Sequence, residues 1–230
     1  MAGSVAAGVK WYLRREALHP LYIALAVLPA ALLLPVVSSR MFGNYLMLFT
    51  DMLFTPLAAL IAAMHVVREP KVTLFELTLL KSFRAVFLSR ITAYAITLTI
   101  ALAPTAAVVA YAGRLSEYAA ALTLKFLLFI TLTAVATLID NPRNSLIFLV
   151  VTLLILPYST PMLLNKAAET GTQADPITSA ICYTLTPITA TTLHKALSLP
   201  LTTLQAIATA TYATITTATY LTFTKKEIPP

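Results

Sequence analysis

Nine carboxylates, three histidines and one cysteine are the groups with which this 230-residue chain could do acid–base, nucleophilic or metal chemistry. They are scattered rather than clustered. His19, His65 and His194 fall in different segments with no i, i+4 pairing, so a metal site would have to be gathered by tertiary folding. Cys182 alone excludes an internal disulfide and a cysteine-based cluster. The glycines stand at Gly3, Gly8, Gly43, Gly113 and Gly171, and none can build the G-x-x-x-x-G-K-[ST] loop that cradles nucleotide phosphates. No Ser/His/Asp ordering and no paired intramembrane glutamates suggest a protease. The chain reads as a non-enzyme with no cofactor and no metal of its own.

Two isolated charges remain to be explained. Asp51 and Lys125 lie inside apolar runs at matched depth, and intramembrane charges are costly, face the interior and often pair. An ion pair between the spans that carry them is the economical reading. A role in substrate binding, or a Lys125 that snorkels outward, are the alternatives.

Those runs define the class. The chain is 59% hydrophobic and 11% charged, against about 25% charged in soluble domains. It reads as a single all-α integral membrane domain over residues 1–230. A crossing needs roughly 20 mostly apolar residues. Six segments meet that need: 20–37, 44–67, 91–112, 119–139, 145–164 and 201–223. With both termini inside, the inner face receives Lys10, Arg14, Arg15, Arg68, Lys71, Lys81, Arg84, Arg90, Arg143, Lys225 and Lys226. The outer face receives Arg40, Arg114, Lys166 and Lys195. Eleven against four predicts a multi-pass plasma-membrane protein with both termini cytoplasmic. The first residues place their charges after the small residues, unlike a cleavable signal.

Between the last two spans, 165–200 contains two apolar pieces split at Pro187 and flanked by Pro176 and Pro200. Each is too short to cross, which predicts a pair of re-entrant helices on the outer side. Crossing there would also turn Lys225 and Lys226 outward, against the charge bias. Pro56, Pro104, Pro157 and Pro161 predict kinks inside spans. Ten threonines between Leu201 and Thr224 predict hydroxyls bonded back to the helix or across to a neighbour, or a mildly polar lining.

The segment 68–90 is the one sizeable inner loop. Read as a helix from Leu74 to Leu88, it gathers Phe75, Leu79, Leu80, Phe83, Val86 and Phe87 on one arc. Thr78, Lys81, Ser82, Arg84 and Ala85 share the other. That pattern predicts an amphipathic helix at the membrane surface or against a partner. Glu76 falls inside the apolar arc, where a carboxylate wants a donor or water. Residues 1–19 predict an interfacial helix: Val5, Val9, Tyr12 and Leu13 cluster away from Lys10, Arg14 and Arg15, with Trp11 and Leu18 off the pattern. A plain basic tail beside the membrane is equally compatible.

This arrangement resembles the permease subunits of type-2 ABC transporters. Those have six spans, an amphipathic N-terminal helix, a coupling helix between spans two and three, and paired re-entrant helices between spans five and six. Their coupling region runs approximately E-x-x-x-G-T-L-E-x-L-L-x-x-P-x-S-R, followed by a basic residue as span three begins. Glu69, Thr73, Leu74, Leu77, Leu79, Arg84 and Arg90 can be laid on it. Val72 stands for Gly, Phe75 for Glu (with Glu76 adjacent), Lys81 for Pro and Phe83 for Ser.

The resemblance implies a permease subunit of an ATP-driven exporter, dimeric with a second copy or a similar chain. It would dock a separate ATPase, which carries the ATP and Mg, through Glu69, Thr73, Phe75, Glu76, Leu79, Lys81, Phe83 and Arg84. Membrane lipid is the other expected partner, and no nucleic acid is. A non-transport subunit that anchors or assembles a larger membrane complex is the competing reading. An ion-coupled carrier is disfavoured by the lack of inverted repeats and of several buried acids.

Overall fold

Helix starts and stops follow from local chemistry. The computed structural model describes residues 2–16, 24, 27, 31, 50–64, 66–67, 70–111, 113, 115–157, 159–160, 175–185 and 200–225. Among them the fold is all-helical and no strand occurs. Helix α1 is Ala2–Glu16 and α2 is Thr55–Met64. Helix α3 is Pro70–Leu80 and α4 is Phe83–Tyr111. Then follow α5 (Leu115–Ala136), α6 (Pro142–Val150), α7 (Pro176–Leu185) and α8 (Leu201–Thr224).

Proline opens α3, α6 and α7, where its missing N–H costs nothing and its fixed φ suits the first turn. Asn141 caps α6 by accepting the Arg143 N–H at 2.9 Å. Asp175 caps α7, its Oδ1 accepting the N–H groups of Ile177 and Thr178, each at 3.0 Å. The Thr178 hydroxyl and these N–H groups hold the Asp175 carboxyl below its usual range.

Two of the prolines inside predicted spans follow π-helical turns. Thr50–Phe54 is π-helical just before Pro56, and Val151–Ile155 just before Pro157. In the second, Leu156 donates its N–H to the Val151 carbonyl five residues back. A widened turn makes room for a ring that would otherwise strike the preceding carbonyl. Pro104 is accommodated within the continuous α4.

One expectation is overturned. Residues 74–88 do not form one helix: the chain breaks at Lys81 and Ser82. Lys81 takes φ +53°, the left-handed conformation that ends helices, and donates its N–H to the Leu77 carbonyl at 2.7 Å. Ser82 then opens α4, its carbonyl accepting the Val86 N–H at 3.0 Å. A proline, with φ fixed at about −65°, could not adopt the Lys81 conformation. Leu77 and Leu80 pack on the same cluster as Val86, Phe87 and Phe223. The break folds α3 back along α4 and brings Glu76 to Arg90, which an unbroken helix would hold about 21 Å apart.

Helix α4 therefore begins eight residues before the expected span. Its stretch Phe83–Ala103 is, among the described residues, the one long and apolar enough to cross a membrane. Helix α8 has 24 residues, about 36 Å at 1.5 Å per residue, but its threonines dilute its hydropathy. The expected span 20–37, the residues 44–49 and the second re-entrant piece 188–199 lie outside the described residues, apart from positions 24, 27 and 31.

Three clusters hold the helices together. Ala58, Ala59, Ala62 and Ala63 line one side of α2 and let it approach Tyr94, Leu98 and Ala101 of α4, with Leu149 and Leu153 alongside. Small residues permit such close helix contact. A second cluster joins α5, α7 and α8 through Leu128, Ala180, Leu204 and Tyr212. There the Thr131 and Thr216 hydroxyls bond across at 2.9 Å. Other α8 hydroxyls bond back to their own helix, as Thr209 to Gln205 and Thr219 to Ile215, both at 2.8 Å.

The third cluster joins the elbow to the end of α8. Phe87 meets Phe223 with ring centroids 5.3 Å apart, and Phe83 meets Phe223 edge-on at 6.0 Å. Leu138, in the turn after α5, packs on the same cluster.

Helices α1 and α4 approach closely at Gly8. A Cβ added at Gly8 would stand 2.4 Å from Ser89 Oγ and 3.1 Å from Leu80 Cδ1. The Ser89 hydroxyl donates to the Val5 carbonyl at 3.2 Å across this contact. Gly8→Leu is expected to force the helices apart and to destabilise by about 1–3 kcal/mol, as overpacking does. Ala7→Leu, at an exposed position one residue away, should leave stability unchanged. Thermal unfolding of both variants in one detergent checks this.

Candidate functional site

The elbow between α3 and α4 brings together residues that a continuous helix would hold apart. Glu76 and Arg90 are 14 residues apart, which is about 21 Å along an unbroken helix. Across the elbow they meet. The Glu76 Oε2 accepts from Arg90 Nη2 at 2.5 Å and from Arg90 Nε at 2.9 Å. Arg90 Nη2 also donates to the Thr73 hydroxyl at 2.8 Å, and Nε makes a longer contact of 3.3 Å to the Tyr12 hydroxyl. Glu76 is 1% exposed and Arg90 and Tyr12 2% each.

The pair is sealed from water, where each charge depends on the other for most of its solvation. Glu76 Oε1 has no hydrogen-bond partner among the described residues, so Oε2 carries the whole interaction. Burial holds the Tyr12 hydroxyl protonated well above the usual phenol range, against the pull of the Arg90 charge. Three segments thus converge on one guanidinium: α1 through Tyr12, α3 through Thr73 and Glu76, and α4 through Arg90 itself.

The opposite face of α3 is apolar and open. Phe75 is 55% exposed, Leu79 56% and Leu74 44%. Thr78 lies among them, its hydroxyl returned to the Phe75 carbonyl at 2.6 Å. The helix is turned inside out relative to an ordinary amphipathic one, with its carboxylate inward and its largest apolar side chains outward. Lys81 and Arg84 flank this face, both exposed, while Phe83 is half-buried in the aromatic cluster.

Of the residues expected to contact a partner, Phe75, Leu79, Lys81 and Arg84 are accessible. Thr73 and Phe83 are partly covered, and Glu69 lies outside the described residues. Glu76, expected at the partner surface, is buried, and its carboxylate is taken up by Arg90. Arg90 likewise serves as a pairing group rather than a surface charge.

Lys125 is 6% exposed within α5 and does not reach outward to solvent. The Asp51 side chain lies outside the described residues, so the expected pairing of Asp51 with Lys125 has no geometry here. Among the described residues no group of three or more His, Cys, Asp or Glu is placed to hold a metal.

The roles of Tyr12 and Gly8 were not foreseen from the sequence. A phenol on the apolar side of α1 could have pointed to a buried polar partner, but nothing local names Arg90 as that partner. Comparison with protein-family models, with curated proteins and with solved structures finds no match.

Removing one member of a buried pair typically costs about 3–5 kcal/mol, because the surviving charge is left uncompensated. Glu76→Leu and Arg90→Leu should each destabilise by that order. The double variant should be more stable than either single one, since it leaves no orphan charge. A double-mutant cycle on thermal unfolding in detergent measures the coupling, and simple additivity would refute it.

Proposed function

We propose that this chain is the permease subunit of an ATP-driven ABC transporter, of the exporter type. It spans the membrane six times with both ends in the cytoplasm and forms its pathway with a second copy or a similar chain. The reading is carried by α3: a short helix bound rigidly inward through Glu76 and Arg90, with a bare apolar face outward. A coupling element needs those two properties, a stiff attachment to the membrane helices and a surface that a soluble motor can grip. Movement of α3 would pass through Arg90 into α4, and through Tyr12 into α1. The chain has no phosphate loop, so ATP and its Mg belong to the partner.

The distribution of charge supports the orientation. The aromatic cluster gathers the start of α4, the turn after α5 and the end of α8 at one end of the bundle. Arg84, Arg143 and Lys225, all exposed, lie in or beside those segments. A shared basic end is what the positive-inside bias requires.

Phe75→Asp together with Leu79→Asp should abolish co-purification of a Walker-motif ATPase from mild detergent and uncouple ATP hydrolysis from transport. Thermal stability should be unchanged, because both side chains are more than half exposed. Failure of any such ATPase to accompany the unmodified chain would leave the role of a membrane anchor or assembly subunit in its place.

Topology has its own test. In a Cys182→Ser background, Thr170→Cys and Leu199→Cys should both label from outside intact cells, and Lys225→Cys only after permeabilisation. Cytoplasmic labelling at Thr170 or Leu199 would overturn the six-span arrangement.

A further inference from the structure

Beside the site, between α1 and α4, lies an open cleft of about 720 Å³. Its floor is apolar, formed by Val5, Val9 and Leu13 of α1, and Thr92 of α4 closes one side. Lys10 and Arg14 stand at its rim. They are four residues apart, hence on the same side of α1, both exposed, and neither has an ion-pair partner among the described residues. The wall supplied by α4 belongs to Phe83–Ala103, the stretch long and apolar enough to cross a membrane.

We propose that this cleft binds one anionic phospholipid, its acyl chain along the Val5, Val9 and Leu13 floor and its phosphate between Lys10 and Arg14. A neutral apolar guest would leave the two cations without a counter-charge. A small soluble anion would leave the apolar floor in water. A lipid with a net negative headgroup satisfies both, and basic residues beside membrane helices hold such headgroups by charge and hydrogen bonding. Trp11 lies between the two cations in sequence and suits the same headgroup level. The bound lipid would fill the side of α1 that the described residues leave open. It would thereby fasten to α4 the helix that carries Tyr12.

The inference rests on the membrane embedding within the proposed function, and on neither the ATPase nor transport. The test uses the purified full chain in neutral detergent, mixed with phosphatidylglycerol or with phosphatidylcholine of the same chains. Native mass spectrometry and thermal unfolding are the readouts. One phosphatidylglycerol should be retained and should raise the melting temperature, and phosphatidylcholine should do neither. Lys10→Gln with Arg14→Gln should weaken retention about thirtyfold, at about fivefold per basic residue. Thr92→Trp, which fills the cleft without changing charge, should also displace the lipid.

Equal retention of the two lipids, or retention unaffected by both variants, would overturn the site. So would inorganic phosphate reproducing the stabilisation, which would make the site one for a free anion. Loss of ATPase co-purification bears on the transport reading alone, so the two can fail separately.

Discussion

A buried guanidinium is the constraint on which this fold turns. Arg90 sits two turns into the most membrane-like helix of the described structure, with almost no access to water. A charge there is tolerated only when fully partnered. Its partners come from two other segments, and so the need to satisfy one side chain fixes where α1 and α3 must lie. The elbow at Lys81 and Ser82 is the backbone conformation that lets Glu76 reach back. Its left-handed residue is the local strain accepted for that closure.

The packing around this pair relies on close approach rather than bulk. Gly8 against Ser89, and the alanines of α2 against α4, bring backbones near enough for dispersion to act over long stretches. In a bilayer, where lipid tails are as apolar as leucine, that mechanism holds helices together when the hydrophobic effect cannot. The hydroxyls follow the same logic. Thr131 and Thr216 bond between helices, and most other described threonines return their hydroxyl to a carbonyl three or four residues back. A helix rich in threonine is thereby nearly as self-satisfied as one of alanine.

The division of α3 into a polar inner face and an apolar outer one reverses the usual arrangement. Burying Glu76 is tolerable only because Arg90 meets it. Phe75 and Leu79 stand exposed on the other side of the same helix. The two features are linked, since Thr73, Glu76 and Leu80 point inward and the rest of a one-helix surface must then face out. A rigid base and a sticky outer surface thus arise from the same register.

The sequence by itself determined the all-helical class of the described residues. Proline-opened helices at 70, 142 and 176, and α8 from Leu201, follow from composition and local turn chemistry. The apolar side of α1 was likewise legible, because Val5, Val9, Tyr12 and Leu13 recur at helical spacing. The partner of Glu76 was not. Helical periodicity relates residues three or four apart, and the wheel drawn from Leu74 to Leu88 assumed one continuous helix. Only the tertiary structure, by breaking the chain at Lys81, decided that Glu76 and Arg90 meet, that Tyr12 joins them and that Phe75 faces outward. The reason is physical: a pairing over 14 residues depends on the direction the chain takes after a turn. That direction is set by what each helix buries on the rest of the bundle.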